Sequence, residues 1–289
     1  MMPEPTGVIH DIGYRHYEGA RLGRGSAFAA LTVHSLRGAF GFGRTARAKI
    51  MPLLLSTIML LPAVVSIAIM ALVKQQGVKY PDYAVFMQAV LAVFLAAQSP
   101  YLVAPDLRFR VLPLYLSRPV AVLDYLGAKL AALSIAMFLV LAVPLTLLFA
   151  GELLVDLPGP PHTAEYFSAM AGAVILAVIL AALGLALASF TPRRGLGVAS
   201  VIAFYLFTSA VSAVFYGVFM SMGRDTAGKW AMLINPFFLV DSVQVALFGT
   251  APSNGDGYPP GLWPCLIVVM VIAVALAGLF LRYRKAASS

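Results

Sequence analysis

Six runs of almost unbroken hydrocarbon, at about residues 50–73, 83–103, 129–150, 169–190, 197–222 and 262–281, restrict this chain to very few architectures. Each is about 20 residues or longer, the length a helix needs to cross the roughly 30 Å apolar layer of a bilayer. Barrel strands need only about ten residues, and hydrocarbon leaves no water to satisfy unpaired backbone groups. The chain is therefore expected to be an all-α integral membrane protein with six transmembrane helices. Composition points the same way: 61% of residues are hydrophobic and 11% charged, where soluble domains carry about 25% charged residues. Two regions follow, a leader over 1–49 and a transmembrane domain over 50–289.

The 20 Lys and Arg residues give the orientation. Seven lie in the leader; Arg108, Arg110, Arg118 and Lys129 follow the second run, Arg193 and Arg194 the fourth, and Arg282, Arg284 and Lys285 the last. Lys74, Lys79, Arg224 and Lys229 are left for the other side. Cations collect in cytoplasmic loops, so both termini are expected on the cytoplasmic side of the membrane. The net charge of +8 is accounted for by this bias and calls for no nucleic acid; the bilayer itself is the main partner surface. The first run begins near Ile50, too far along for a secretory signal, so the residues before it are expected to stay in the cytoplasm.

Within the leader, residues 27–49 place Val33, Leu36 and Phe40 on one helical face with Arg37, Arg44 and Arg47 nearby, which suits an amphipathic helix lying along the inner membrane surface. Gly38, Gly41 and Gly43 weaken that helix. Residues 230–249, WAMLINPFFLVDSVQVALFG, tempt a seventh span, but Asn235, Pro236, Asp241 and Gln244 interrupt them. A seventh crossing would also carry the C-terminal cations outside. A re-entrant hairpin between the fifth and sixth helices, broken at Asn235-Pro236, meets both constraints.

No chemistry of bond making is legible. The chain has no G-x-x-x-x-G-K-[ST] phosphate loop, so if ATP drives it, another polypeptide hydrolyses it. His10, His16, His34 and His162 form no i, i+4 pair for zinc, and no Ser-His-Asp grouping stands out. Cys265 is alone. The 12 methionines are scattered through apolar runs, where they fill gaps rather than bind copper. The six predicted spans hold no Asp, Glu or Arg, so an ion-relay carboxylate is missing from them; Asp241 is the one carboxylate in a membrane-embedded candidate segment, and it also reads as a capping or loop residue of the hairpin.

Weakly polar residues are patterned. Tyr205, Ser209, Ser212 and Tyr216, at i, i+4, i+7 and i+11, share one face of the fifth span, and Gln88 and Ser99 share a face of the second. These stripes suit a transport pathway or a subunit seam, and equally suit hydrogen bonding between neighbouring helices of one bundle. Ala173, Ala177 and Ala181, with Gly184 nearby, form a small-residue ridge for close helix packing.

The polar stretch between the second and third runs, DLRFRVLPLYLSRPVAVLDYLGAK, carries the most specific signal. Its Asp106 and Arg108 lead, the Leu116-Ser117-Arg118-Pro119 core and the following Tyr125 and Lys129 resemble the hallmark loop of type-2 ATP-binding-cassette exporter permeases. Asn235-Pro236-Phe237 resembles the start of that family's hairpin, and IHDIGYRHYEGARLGR, residues 9–24, is similar to leaders of its bacterial members. The resemblance implies that Leu112, Leu114, Tyr115, Leu116, Ser117, Arg118 and Pro119 form a coupling helix docked on a separate nucleotide-binding ATPase subunit, which binds ATP and magnesium. It implies a second permease copy, identical or related, and a path lined by the second and fifth spans. The residue chemistry agrees with docking: an apolar plug, turns fixed by Pro113 and Pro119, and a guanidinium suited to forked contacts. An uncharged wall of Tyr, Ser, Met and Ala suits an amphipathic or lipid-like substrate, and the resemblance implies that it moves outwards. The alternative is an ion-coupled carrier, or another polytopic membrane protein with no ATPase partner.

Overall fold

The computed structural model describes residues 19, 23–109, 121–155, 157–191 and 193–287. Among them every regular element is a helix: α1 Arg24–Ala39, α2 Ala46–Val73, α3 Tyr83–Phe86, α4 Gln88–Arg108, α5 Val122–Val155, α6 Thr163–Phe190, α7 Arg194–Ser221, α8 Asp225–Met232, α9 Pro236–Phe248 and α10 Trp263–Ala287. Six of them (α2, α4, α5, α6, α7 and α10) are long and apolar enough to cross a membrane, or seven segments if the bent pair α8–α9 is counted as one span. This is the architecture of a helical multi-pass membrane protein.

The spans divide into an inner and an outer set. In α4 and α6, 67% of the most apolar window is buried by the rest of the chain, against 17% in α7 and 22% in α10. Water would penalise the bare outer helices, with Leu206, Phe207, Val214, Val269 and Val274 more than half exposed; lipid or another subunit would not. α5 and α6 pack along each other, α4 lies against both α6 and α7, and α1 lies on α5. The small-residue ridge on α6 serves this packing. Ala173, Ala177 and Ala181 are buried, and a Cβ at Gly184 would clash with Ser99 Oγ and Leu95 of α4.

Several boundaries differ from the sequence expectation. α5 runs beyond 129–150 at both ends, because Asp124, Lys129 and Glu152 find partners and need not leave the helix. At its start Asp124 accepts from the Ala121 N–H at 3.0 Å and from Arg24 Nη2 at 2.7 Å, closing the first turn in the manner of a capping box. α4 starts afresh at Gln88 after a break at Met87. The predicted amphipathic helix over 27–49 ends at Ala39, where Gly41 N–H donates to Gly38 O and Phe42 N–H to Arg37 O, a Schellman ending. Gly41 has φ +78°, and a Cβ there would strike the backbone of Ala48. Leu36 and Phe40 pack on the core while Val33 stays 51% exposed, so the three do not share one environment.

The chain turns sharply between α8 and α9, whose axes meet at 111°. Asn235 N-caps α9 through its side-chain oxygen, which accepts from Phe237 N–H at 2.9 Å, and Pro236 occupies the first helical position where its missing N–H costs nothing. Alternating helix directions put the N-termini of α2, α5 and α7 at the same end of the bundle as the C-termini of α4, α6 and α10. Contacts such as Arg282 to Ser189 O and Asp106 to Lys129 fix that end; Lys74 to Val155 O and Ser253 to Asp82 fix the other.

Candidate functional site

The coupling-loop residues Leu112, Leu114, Tyr115, Leu116, Ser117, Arg118 and Pro119 lie outside the described residues, as does most of the 9–24 leader. The two stems of that loop are described, and they are tied together. Asp106, in the last turn of α4, faces Lys129, in the second turn of α5, with Lys129 Nζ 3.3 Å from Asp106 Oδ2. The same carboxylate oxygen accepts from the Tyr125 hydroxyl. Lys129 Nζ lies 5.4 Å from the centre of the Tyr125 ring, which in turn meets the Tyr283 ring of α10 at 5.7 Å. Tyr283, fully buried, donates to Val103 O. The ion pair's side chains are only 9% and 13% exposed. Leaving either charge without its partner in so dry a place would be costly, so the cluster works as a clamp across the stems. Arg108 and Phe109 point outward beyond it.

A second polar group forms where the hairpin breaks. Asn235 Nδ2 donates to Gln88 Oε1 at 3.1 Å and to Ser209 Oγ at 3.3 Å, so one amide joins α4, α7 and the hairpin. Ser212 donates to Met232 O at 3.3 Å, Tyr205 packs edge-on against Phe237, and Tyr216 donates to Asp256. The whole Tyr205–Ser209–Ser212–Tyr216 stripe therefore faces the chain's own hairpin and the loop that follows it. Ser99 does not join this group; fully buried against Gly184, it returns its hydroxyl to Leu95 O.

Asp241 is a mid-helix residue of α9, 1% exposed, rather than a cap or loop residue. Its Oδ2 accepts from Ser253 N–H at 2.9 Å and from the Tyr258 hydroxyl. Burial, then the Asp241 charge, push the Tyr258 phenol well above its ordinary value, so it remains a donor. The carboxylate thereby pins the 253–258 loop onto the hairpin.

The sequence reading missed Glu152. It is 4% exposed in the last turn of α5, two residues past the predicted run. It accepts from the Tyr80 hydroxyl and from His162 N–H at 3.0 Å, and lies 2.6 Å from His162 Nδ1. Burial first, and then Glu152, raise the Tyr80 phenol far above its usual range. Tyr80, Phe149 and Tyr166 form an aromatic wall beside it. A glutamate just beyond an apolar run, ten residues before a histidine, was the available signal. Among the described residues no group of three or more His, Cys, Asp or Glu is placed to hold a metal ion, and Cys265 is half-buried in α10.

An open apolar groove of about 570 Å³ runs along α6, α7 and α10, with Leu187, Phe190, Phe204, Met270 and Val274 among its walls. No protein-family model matches the chain, and no curated protein matches it significantly.

Proposed function

We propose that this chain is the permease subunit of an ATP-driven exporter of the type-2 ATP-binding-cassette kind. The observation that carries the reading is the stem clamp: Asp106, Tyr125 and Lys129, three residues on which the loop resemblance rests, meet in one buried polar cluster. Such a clamp lets a push on residues 110–120 move α4 and α5 as one body rather than splaying them. The nucleotide-binding subunit, carrying ATP and magnesium, would press on the Leu112–Pro119 plug. ATP binding would then bias the bundle between inward- and outward-open states in proportion to its differential affinity for them.

In this reading both termini lie in the cytoplasm of a bacterial inner membrane. α1 is the interfacial helix before the first span, and α8–α9 is a re-entrant hairpin in the outer leaflet. A second permease copy covers part of the bare α2, α7 and α10 surface. The apolar groove along α6, α7 and α10 supports an amphipathic or lipid-like cargo, and the stripe residues Tyr205 and Ser209, with Gln88, sit where a path between hairpin and bundle would open.

The test is affinity purification of the full chain from its native membrane in mild detergent. A P-loop ATPase is expected to co-purify with the wild type and to be lost with Arg118→Glu. Undiminished ATPase binding by Arg118→Glu would overturn the docking proposal. One observation favours an ion-coupled carrier instead: Glu152 is a buried carboxylate next to a histidine. Uptake or efflux that needed a proton gradient, ignored ATP and vanished in Glu152→Gln would establish that alternative.

A further inference from the structure

We infer that the chain carries a binding site for a phosphate-bearing anion, set between the N-termini of α2 and α7 and the side of α4. The inference requires only that these helices stand in a bilayer and is independent of the transport reading. A cavity of about 350 Å³ opens there, walled by Arg44, Arg47, Arg194, Thr45 and Gln98 on its polar side and by Met51, Pro52 and Ala97 on its apolar side. No carboxylate lines it. None of the three guanidinium groups is ion-paired with a described residue. Arg44 is held in place by the Tyr101 ring, 3.9 Å from its guanidinium carbon to the ring centre.

Two further features aim at a ligand. α2 and α7 are each 28 residues long, and neither N-cap residue, Thr45 or Arg193, caps its helix with its side chain. The positive ends of both helix dipoles therefore lie at the cavity, where Thr45 and Arg47 of α2 and Arg194 of α7 line it. Inside, Gln98 is 95% buried, with 5% exposure, yet its amide makes no hydrogen bond to any described residue. Its burial puts it at the floor of the cavity, while Arg47 and Arg194 stand exposed at the rim. An unspent amide in a buried wall opposite three forked cations is complementary to the several acceptor oxygens of a phosphate.

The shared chemistry is a phosphate mono- or diester, from a soluble compound or a phospholipid headgroup. The surroundings favour the headgroup: Ile50, Met51, Leu53 and Leu54 of α2 continue from the recess as an exposed apolar track on which acyl chains would lie. Held there, a lipid would tie the leader turn, the first span and the fifth span together.

The experiment uses the detergent-purified full chain, titrated with short-chain phosphatidylglycerol, glycerol 3-phosphate and inorganic phosphate, and read by native mass spectrometry and the thermal unfolding midpoint. Wild type should bind one phosphatidylglycerol saturably. R47Q/R194Q and, separately, Q98L should each weaken binding by about tenfold or more, the worth of one charge-assisted hydrogen bond. The charge-matched control R37Q/R284Q, from the same end of the molecule, should bind like wild type. Binding of the lipid alone assigns the headgroup, and binding of glycerol 3-phosphate or phosphate as well assigns a soluble source; either supports the site. Absence of saturable binding by a monodisperse wild type, or equal losses in the control and the recess variants, overturns it. Q98E, which fills the recess with its own carboxylate, should abolish binding while keeping the unfolding midpoint, so loss of fold and loss of site are told apart.

Discussion

The Asp106–Lys129 clamp makes the most quantitative prediction. Lys129→Met removes the ammonium and leaves the Asp106 carboxylate, 13% exposed, with the Tyr125 hydroxyl still donating to it at the α4–α5 stems. Stranding one member of a buried pair costs about 3–5 kcal/mol; residual exposure places this pair at the lower end. Asp106→Asn strands the ammonium instead, but the Tyr125 ring 5.4 Å away offsets about 1 kcal/mol by cation–π attraction. The double variant leaves no uncompensated charge, so most of the loss should be recovered, with a coupling of about 2 kcal/mol or more. The assay is a double-mutant cycle on reversible unfolding in mixed micelles. Losses that simply add, within about 0.5 kcal/mol, would refute the claim that the stems are held by this pair. If the proposed docking holds, Lys129→Met should also weaken ATPase binding while the chain remains folded, because the pair bounds residues 110–120.

Other consequences can be measured on the same preparation. Gly184→Val should destabilise by about 1–3 kcal/mol through overpacking, since its Cβ meets Ser99 and Leu95; an unchanged unfolding midpoint would contradict the α4–α6 contact. Asn235→Ala removes the α9 cap and the donor to Gln88 and Ser209, an expected loss of about 1–2 kcal/mol for the cap alone, visible as faster hydrogen exchange over α9. Asp241→Asn keeps an acceptor for Ser253 and Tyr258 and should preserve stability and, on the proposed function, ATP-driven turnover. Asp241→Leu should instead free the 253–258 loop to proteolysis. Glu152→Gln should leave turnover intact if the Tyr80–His162 cluster is only an anchor.

Much of the fold is legible in hydropathy because a bilayer sets both the length and the polarity of each span. The 230–249 break is legible for a local reason: Asn followed by Pro is a strong helix start, and Asn235 caps α9 as its chemistry demands. What hydropathy misses is pairing between distant residues. Lys129 and Glu152 look like the ends of a span, yet each is satisfied by a partner on another segment, so α5 continues past them. Periodicity reveals that Tyr205, Ser209, Ser212 and Tyr216 share a face but not that the face meets the chain's own hairpin. The leader helix ends ten residues early because Gly41 is a position of positive φ, where counting glycines as merely weak helix formers underestimates them. Gln98 looks like any polar residue in a span; its lack of a hydrogen-bond partner among the described residues shows only in three dimensions.

The central claim is that the loop between α4 and α5 faces the cytoplasm and is gripped there by a separate ATPase. The most direct measurement replaces Cys265 by Ala, introduces Tyr115→Cys, and labels with a membrane-impermeant maleimide in intact cells and in inside-out vesicles. The account predicts labelling in inside-out vesicles alone, blocked when the co-purifying ATPase is bound. Labelling from the outside of intact cells, or labelling that the ATPase leaves untouched, would contradict it.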